Sequence, residues 1–315
     1  MTSHIVKTGS TAIIIGNGHY GKFLPIKPNK LIKVTNISTR QNDSKYSDII
    51  KMIPNYSEYY VIPDEITFIL PSSHKFYNYL KKLVKNEDIN IFYEDLKCVY
   101  IDDAGNKELL DTINDVYNDN DFSFWKSYKV IIKFCKKLMK GLYFLHERKI
   151  CHLDIKPENI MVNTLTGKCK LIDFGFSSKE PFDDYVSNIR GTPCYFPKHF
   201  NKSIITPWFP KITANDFIKV DGILPIDNNR KLVYKIDSYC LGRVIYFLKY
   251  VYSENITYCL NWEKSTGLKL NKIINSLIDN NIHTRLTVKE CIERYFNTNY
   301  LDNINSDNNI HCTMI

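Results

Sequence analysis

The polar run His152-Leu153-Asp154-Ile155-Lys156-Pro157-Glu158-Asn159 constrains this chain more than any other stretch, because of what flanks it. It follows directly on the strongest helical pattern in the sequence. From Val130 to His146, apolar residues such as Ile131, Phe134, Leu138, Leu142 and Leu145 recur at three- and four-residue spacing. Lys133, Lys136, Lys137 and Lys140 fall on the opposite face. Fourteen positions beyond Asn159 stands Asp173-Phe174-Gly175, led by the apolar strand residues Leu171-Ile172. A helix and a strand therefore deliver two carboxylates, an amide and a lysine at an order and spacing that coincidence seldom gives.

Those residue types suit one chemistry. Phosphoryl transfer needs a carboxylate to orient the attacking hydroxyl and accept its proton, hard oxygen ligands for Mg²⁺, and cations on the moving phosphate. Asp154 supplies the first, Asn159 and Asp173 the second, and Lys156 and Lys33 the third. A second pattern points the same way. In Gly16-x-Gly18-x-x-Gly21 the absence of Cβ atoms lets backbone lie close against phosphates. A dinucleotide-binding turn would open a helix at the third glycine. Here Lys22-Phe23-Leu24-Pro25-Ile26 follows, extended and carrying a proline, which favours a strand–loop–strand lid. An ordinary glycine-rich hairpin is the competing reading of this pattern taken alone.

Composition removes other classes. The 315 residues suggest two domains or one large one, and 44% hydrophobic with 24% charged residues is an ordinary soluble globular mix. Disorder, collagen-like repeats and a small disulfide scaffold fit poorly. The formal charge of +8 is spread without a run of five basic residues, so a solvated basic surface is favoured over nucleic-acid binding. Nine cysteines include no C-x-x-C pair, and the start Met1-Thr2-Ser3-His4 lacks signal-peptide character. The expectation is a reducing, cytoplasmic or otherwise intracellular setting. The Asn, Ile, Lys and Tyr richness resembles AT-rich coding, and for a viral source the compartment would be host cytoplasm. The most apolar helical stretch, Leu241 to Tyr252, is interrupted by Arg243 and Lys249 and is too short to span a bilayer.

Along the chain, Ala12–Ile15, Phe23–Ile26, Leu31–Val34, Ile66–Leu70 and Leu96–Ile101 read as extended segments. Ser44 to Ile53 has helical spacing and stops at Pro54. Around Asp102-Asp103-Ala104-Gly105 the pattern changes from strand to helix. Thr287 to Phe296 is a helix entered through the capping-box pattern Thr287-x-x-Glu290. The stretch from Asn297 onward is rich in Asn and Asp and reads as a tail.

With these motifs in place, the chain resembles a eukaryotic-type protein kinase of the serine/threonine class, over roughly Ala12 to Phe296. The resemblance implies an α+β, bilobal fold: a small five-stranded antiparallel lobe with one helix at 1–101, a hinge at 102–107, and a larger mainly helical lobe at 108–296, followed by a tail at 297–315. It implies ATP and Mg²⁺ as cofactors and protein Ser/Thr hydroxyls as acceptors. Ile15, Gly16, Asn17, Gly18, His19, Tyr20, Gly21, Lys22 and Phe23 resemble the glycine-rich loop, and Lys33 the lysine that holds the α- and β-phosphates. Asp154 is similar to the catalytic base, Lys156 to its cationic companion, and Asn159 and Asp173 to the metal ligands. Cys98 or Val99 falls near the gatekeeper position. Gly191-Thr192-Pro193-Cys194-Tyr195 resembles the substrate-facing end of the activation segment. Asp237 is expected to hydrogen-bond the catalytic-loop backbone, and Arg285 resembles the family's late arginine.

The departures carry their own expectations. Leu153 replaces the arginine that clamps a phosphorylated activation loop, so activity should not require phosphate there, and Ser177, Ser178, Ser187 and Thr192 are incidental as phosphosites. Pro197-Lys198-His199 stands where A-P-E is expected, leaving Asp216, Asp221 or some other group to partner Arg285. An insertion occupies about 200–233, a surface packing element or a docking one. The acid that pairs with Lys33 is open, with Asp48 and Glu58 the nearest, and Leu31 stands where the family has alanine. Cys312-Thr313-Met314-Ile315 matches a loose prenylation box without a polybasic helper, so stable membrane association is not expected. Two other classes remain: an ATP-binding pseudokinase scaffold, and a small-molecule phosphotransferase of kinase-like fold. The net positive charge biases expectation toward acidic peptide substrates.

Overall fold

Strand-forming runs in the first hundred residues condense into one antiparallel sheet. The computed structural model describes residues 4–8, 11–15, 30–36, 45–64, 68–75, 77–78, 95–102, 104–119, 124–125, 127–182, 192, 195, 232–255 and 263–296. The glycine pattern from Gly16 to Phe23, the extended segment Phe23–Ile26, the insertion and the tail lie outside these residues. Strands β1 (His4–Thr8), β2 (Thr11–Ile15), β3 (Lys30–Asn36), β4 (Phe68–Leu70) and β5 (Leu96–Asp102) form a sheet in the order β1-β2-β3-β5-β4, antiparallel throughout. The central place of β3 sets Lys33 opposite Ile13 on one side and Val99 on the other. Because strand side chains alternate between faces, Leu31 and Lys33 share one face, and Ile32 and Val34 the other.

Helix α1 (Ser47–Lys51) is shorter than the expected Ser44–Ile53. Tyr46 precedes it without a side-chain cap, and Asn55, at φ 54°, turns the chain into a 3-10 turn at Tyr56–Glu58. The next residues leave the sheet and pair with the second region. Val61 N donates to Leu171 O at 3.0 Å, and Leu171 N donates to Tyr59 O at 2.8 Å.

The second region is helical, with α2 (Leu109–Asp119), α3 (Tyr128–Glu147), α4 (Tyr234–Asn255), α5 (Glu263–Leu277) and α6 (Val288–Tyr295). Helix α3 is central and packs against α4, α5 and α6. It starts where Ser127 Oγ accepts from Val130 N, and α6 starts at a complete Thr287/Glu290 capping box. One apolar cluster joins α3 (Leu138, Leu142, Leu145), α4 (Val244, Leu248), α5 (Leu270, Ile273) and α6 (Ile292). Burying each such side chain contributes roughly 1.5–3 kcal/mol. Ile50, Ile53, Tyr59 and Tyr60 from the α1 segment join this core.

Short strands finish the frame. β6 (Lys107–Glu108), β8 (Ile160–Asn163) and β9 (Lys168–Leu171) form one antiparallel set, and β7 (Ile150–Cys151) pairs with β10 (Ser178–Lys179). The link from β5 to β6 passes tightly over β8. Gly105 has φ 147°, and a Cβ there would lie 2.6 Å from the Val162 backbone, so only glycine fits. Among the described residues, no helix is long and apolar enough to cross a membrane. Among the described residues, Cys98, Cys135, Cys151, Cys169, Cys240 and Cys291 are buried thiols outside any disulfide. Burial pushes those of Cys98, Cys169 and Cys291 up to about 12, so they act as packing residues.

Candidate active site

Between β7 and β8 the chain makes the loop that carries Asp154, followed by a 3-10 turn at Pro157–Asn159. Its shape is held from below by Asp237 on α4, which is fully buried. The amides of His152 and Leu153 donate to Asp237 Oδ2 and Oδ1, each at 2.8 Å. His146 Nε2 lies 3.0 Å from the same Oδ2. A buried carboxylate is costly unless its oxygens are occupied, and here three donors occupy them. They also hold Leu153 at φ 65°, a backbone region that a leucine avoids. The Leu153 side chain is fully buried in the apolar core.

Asp154 is 3% exposed and gathers three side-chain neighbours. Thr192 Oγ1 donates to its Oδ1 at 2.7 Å, Asn159 Nδ2 donates to Oδ2 at 2.8 Å, and Lys156 Nζ stands 3.1 Å from Oδ2. Lys156 Nζ also donates to Thr192 Oγ1 at 3.0 Å. Thr192 thus touches both the expected base and its companion cation.

The two expected metal ligands, Asn159 and Asp173, stand at the open end of the β8–β9 hairpin. Ile160 pairs with Leu171, and Ile172 N donates to Asn159 O at 3.0 Å, so Asn159 and Asp173 leave the hairpin side by side. Asn159 Nδ2 donates to both Asp154 O and Asp154 Oδ2, which leaves Oδ1 as the amide's acceptor. Asp173 has φ 62°, and its Oδ1 accepts from Gly175 N at 3.2 Å. A carboxylate and an amide oxygen are the hard donors that Mg²⁺ takes, so the residues fit the ion. Phe174 is buried behind them, with its ring 4.9 Å from His152 and 5.9 Å, edge-on, from Tyr60. His152 Nδ1 accepts from Asp154 N at 3.3 Å, which leaves Nε2 to donate to Ile172 O at 3.0 Å.

Lys33 is buried on β3, while Asp48 and Glu58, the two acids considered as its partner, are exposed. A second apolar cluster takes residues from both regions: Val61, Val99, Ile101 and Ala104 from the sheet side, Met161 and Ile172 from the hairpin, with Leu31 packed on it. Of the residues expected to hold nucleotide, Ile15 ends β2, and Gly16, Asn17, Gly18, His19, Tyr20, Gly21, Lys22 and Phe23 lie outside the described residues.

Several participants were not singled out from sequence. Glu108 and Glu158 are carboxylates close to Lys156. Burial pushes Glu108 up to about 7, with Asp111 and Glu158 adding repulsion that Lys156 partly offsets. Burial also raises Glu158. Glu158 stood within the polar run, yet nothing in the run marks it for a role, and Glu108 has no motif around it. His146 was legible only as the end of a helix. Arg285 finds neutral partners: Nε donates to Asp279 O at 2.8 Å, Nη1 donates to Lys235 O at 3.3 Å, and the guanidinium stacks 4.7 Å over Tyr239. Burial lowers it to about 10. Asp216 and Asp221 fall outside the described residues. Ser177 and Ser178 are buried, and Ser187 lies outside the described residues.

Comparison with known proteins bears on this geometry. The family model described as "Protein kinase domain" matches residues 13–200. A Dictyostelium discoideum protein named as a probable serine/threonine-protein kinase is 25% identical over 172 residues, 50% of this chain and 21% of its own length. Serine/threonine-protein kinase ULK3 of Xenopus laevis is 40% identical over 68 residues, 21% of this chain and 14% of that protein. MAP kinase kinase MKK1/SSP32 of Saccharomyces cerevisiae is 42% identical over 69 residues, 22% of this chain and 13% of that protein. The matches thus span about a fifth or less of each relative's length. The solved structure of the Cydia pomonella Granulovirus kinase PK-1 superposes with a TM-score of 0.53 at 15% identity, covering 92% of this chain and 91% of that one, a likeness of fold.

Proposed function

Because the chain belongs to the protein kinase family, we propose that it transfers the γ-phosphoryl group of ATP to Ser or Thr hydroxyls of proteins, with Asp154 as the base. The observation that carries this reading is the meeting of Lys156, Thr192 and Asn159 on one buried carboxylate. An acceptor hydroxyl arriving at Asp154 donates a hydrogen bond to the carboxylate, which aligns the hydroxyl's lone pair on the γ-phosphorus. As the P–O bond to ADP breaks and the new one forms, the hydroxyl proton passes to Asp154. Lys156 stays beside the same carboxylate and offsets negative charge on the moving phosphoryl group. Lys33, opposite Val99 on the central strand, is suited to the α- and β-phosphates, and the apolar cluster of Leu31, Val61, Val99, Ala104, Met161 and Ile172 to the base. Asn159 and Asp173 would hold Mg²⁺, which supplies charge neutralisation on the phosphates when bound.

We further propose that phosphate on the activation segment is not required. Where a phosphate-clamping arginine would stand, Leu153 is buried in the core, and Ser177 and Ser178 are shielded from any kinase. The test is transfer from radiolabelled ATP to generic protein substrates, comparing wild type with Asp154→Asn. Asp154-dependent labelling of serine or threonine that survives phosphatase pretreatment is the expected result. Absence of such labelling removes the enzyme reading in favour of a nucleotide-binding scaffold, and loss after phosphatase removes only the second part.

A further inference from the structure

Below the catalytic loop, three elements bring three different donor atoms to one point. His146 stands in the last turn of α3, Cys151 ends β7, and Asp237 lies in the first turn of α4. One ring nitrogen of His146, Cys151 Sγ and one carboxylate oxygen of Asp237 all lie within 4.8 Å of one another. Among the described residues, no other three His, Cys, Asp or Glu side chains converge as closely. Cys151 and Asp237 are fully buried, and the His146 side chain is 9% exposed. Burial, with Asp237 and Glu180 adding repulsion, raises the Cys151 thiol well above its ordinary value, so it keeps its proton until a metal displaces it.

The donor set decides the ion. A thiolate, an imidazole and a carboxylate together suit zinc and its close relatives, whereas Mg²⁺ takes oxygen ligands in an octahedron. Tetrahedral zinc, with bonds of about 2.0–2.3 Å, sets its ligand atoms about 3.3–3.6 Å apart. His146 Nε2 and Asp237 Oδ2, at 3.0 Å, are already close to that spacing. Charge favours the ion too. Thiolate and carboxylate together carry two negative charges, which a dication cancels, and a neutral assembly is what a buried place tolerates. We propose that His146, Cys151 and Asp237 form a site for one thiophilic divalent cation, zinc above all, with its fourth position open toward Glu180.

Glu180 marks the way in from solvent, beside the β7–β10 pair. Its amide donates to Lys149 O at 2.8 Å, its side chain is 27% exposed, and its Oε2 lies 3.7 Å from Lys149 Nζ. On binding, the Cys151 thiol releases its proton to solvent. His146 turns its Nε2 lone pair to the cation and keeps its proton on Nδ1. Asp237 gives up one hydrogen bond, that from His146. Its Oδ1 still accepts from Leu153 N and its Oδ2 from His152 N, so the cation clips α3, β7 and α4 together under the loop without releasing it. The site shares no residue with the expected Mg²⁺ pair Asn159 and Asp173, and it stands whether or not the chain transfers phosphate.

The test is a Co²⁺ titration of the reduced full chain in excess Mg²⁺, which holds any all-oxygen site. One equivalent should bring up a sulfur-to-cobalt charge-transfer band and the visible bands of a tetrahedral ion, and Zn²⁺ should bleach both. Cys151→Val should lose the charge-transfer band with circular dichroism unchanged. His146→Gln should weaken Co²⁺ binding at least about tenfold, since even a lost outer-shell partner costs that much. Zn²⁺ should raise the thermal midpoint of wild type and not that of Cys151→Val. A wild-type chain that gives no band overturns the site. So does a band that survives Cys151→Val, which assigns the metal to another thiol, or a His146→Gln variant of unchanged affinity. If Cys151→Val does not fold, X-ray absorption of the zinc-loaded wild type decides: one sulfur with nitrogen and oxygen neighbours supports the site, and no sulfur or several overturn it.

Discussion

The two sides of the active site are held by different means. On the helical side, hydrogen bonds and a ring contact fix the groups: Asp237 grips the loop backbone, Asn159 and Thr192 grip Asp154, and the His152 ring backs Phe174. On the sheet side, Lys33 owes its position to strand order and register, set by its neighbours Ile13 and Val99. Even the segment around α1 sends Ile50 and Ile53 into the helical region's core. One side is an insulated polar network that loses most of its value when any member is removed. The other is a register that tolerates exchange of side chains. Damage on the two sides should therefore look different.

Asp154→Asn is the sharpest break. It removes the proposed base while keeping the size of the side chain, so kcat in the radiolabel assay should fall by at least about a thousandfold, with far-UV circular dichroism retained. Lys33→Met should also abolish transfer, yet it should lower the unfolding free energy in urea by less than Asp237→Ala does, because a side chain of similar volume keeps the strand register. Asp237→Ala is the counterpart on the helical side. It orphans two buried amides and His146, and should cost about 3–5 kcal/mol in urea unfolding. If Lys33→Met proves the more destabilising of the two, the contrast between network and register is wrong.

The helical side was also the more legible side. Helix α3 came out at Tyr128–Glu147 against an expected Val130–His146, and the α6 capping box formed as read, because both follow from local periodicity and a cap. The convergence of Asn159 on Asp154 and the place of Asp237 beneath the loop were legible because motif spacing reports loop geometry directly. Asp237 then proved to bond the catalytic-loop backbone as expected. Glu108 was not legible: its importance comes from burial beside Glu158, a tertiary fact that no local pattern contains. The Ser44–Ile53 helix was overcalled, since its apolar spacing reports docking of Ile50 and Ile53 onto α3's core more than helix length. The lost Glu partner of Arg285 showed as a gap, but its replacement by backbone carbonyls and the Tyr239 ring depends on distant segments.

Glu108 gives a pH signature of the next size. Its folded value, about 7, lies above the ordinary 4.5, so the native state binds more protons than the unfolded state between those values. Stability from this group is therefore present below about pH 4.5 and is lost as pH rises through 7. Glu108→Gln should stabilise the protein by about 2–3 kcal/mol at pH 8 and much less at pH 5. An equal gain at both pH values would show that packing, not charge, is the cause.

The smallest effect tests the seam between the two sides. Tyr60 OH donates to Gly141 O at 2.5 Å, the Tyr60 ring lies edge-on to Phe174, and its neighbours Tyr59 and Val61 bond the Leu171 backbone. Tyr60→Phe removes only the hydroxyl. Gly141 lies within α3, so the carbonyl that loses its donor retains its place in the helix, and the cost should be about 1 kcal/mol, read as a lower urea midpoint at unchanged slope. Because the ring still backs Phe174, kcat should fall little. A loss of activity far beyond the loss of stability would mean that this one hydrogen bond sets the position of Phe174, and with it Asp173. The polar network would then extend through Tyr60 into the α1 segment instead of ending at His152.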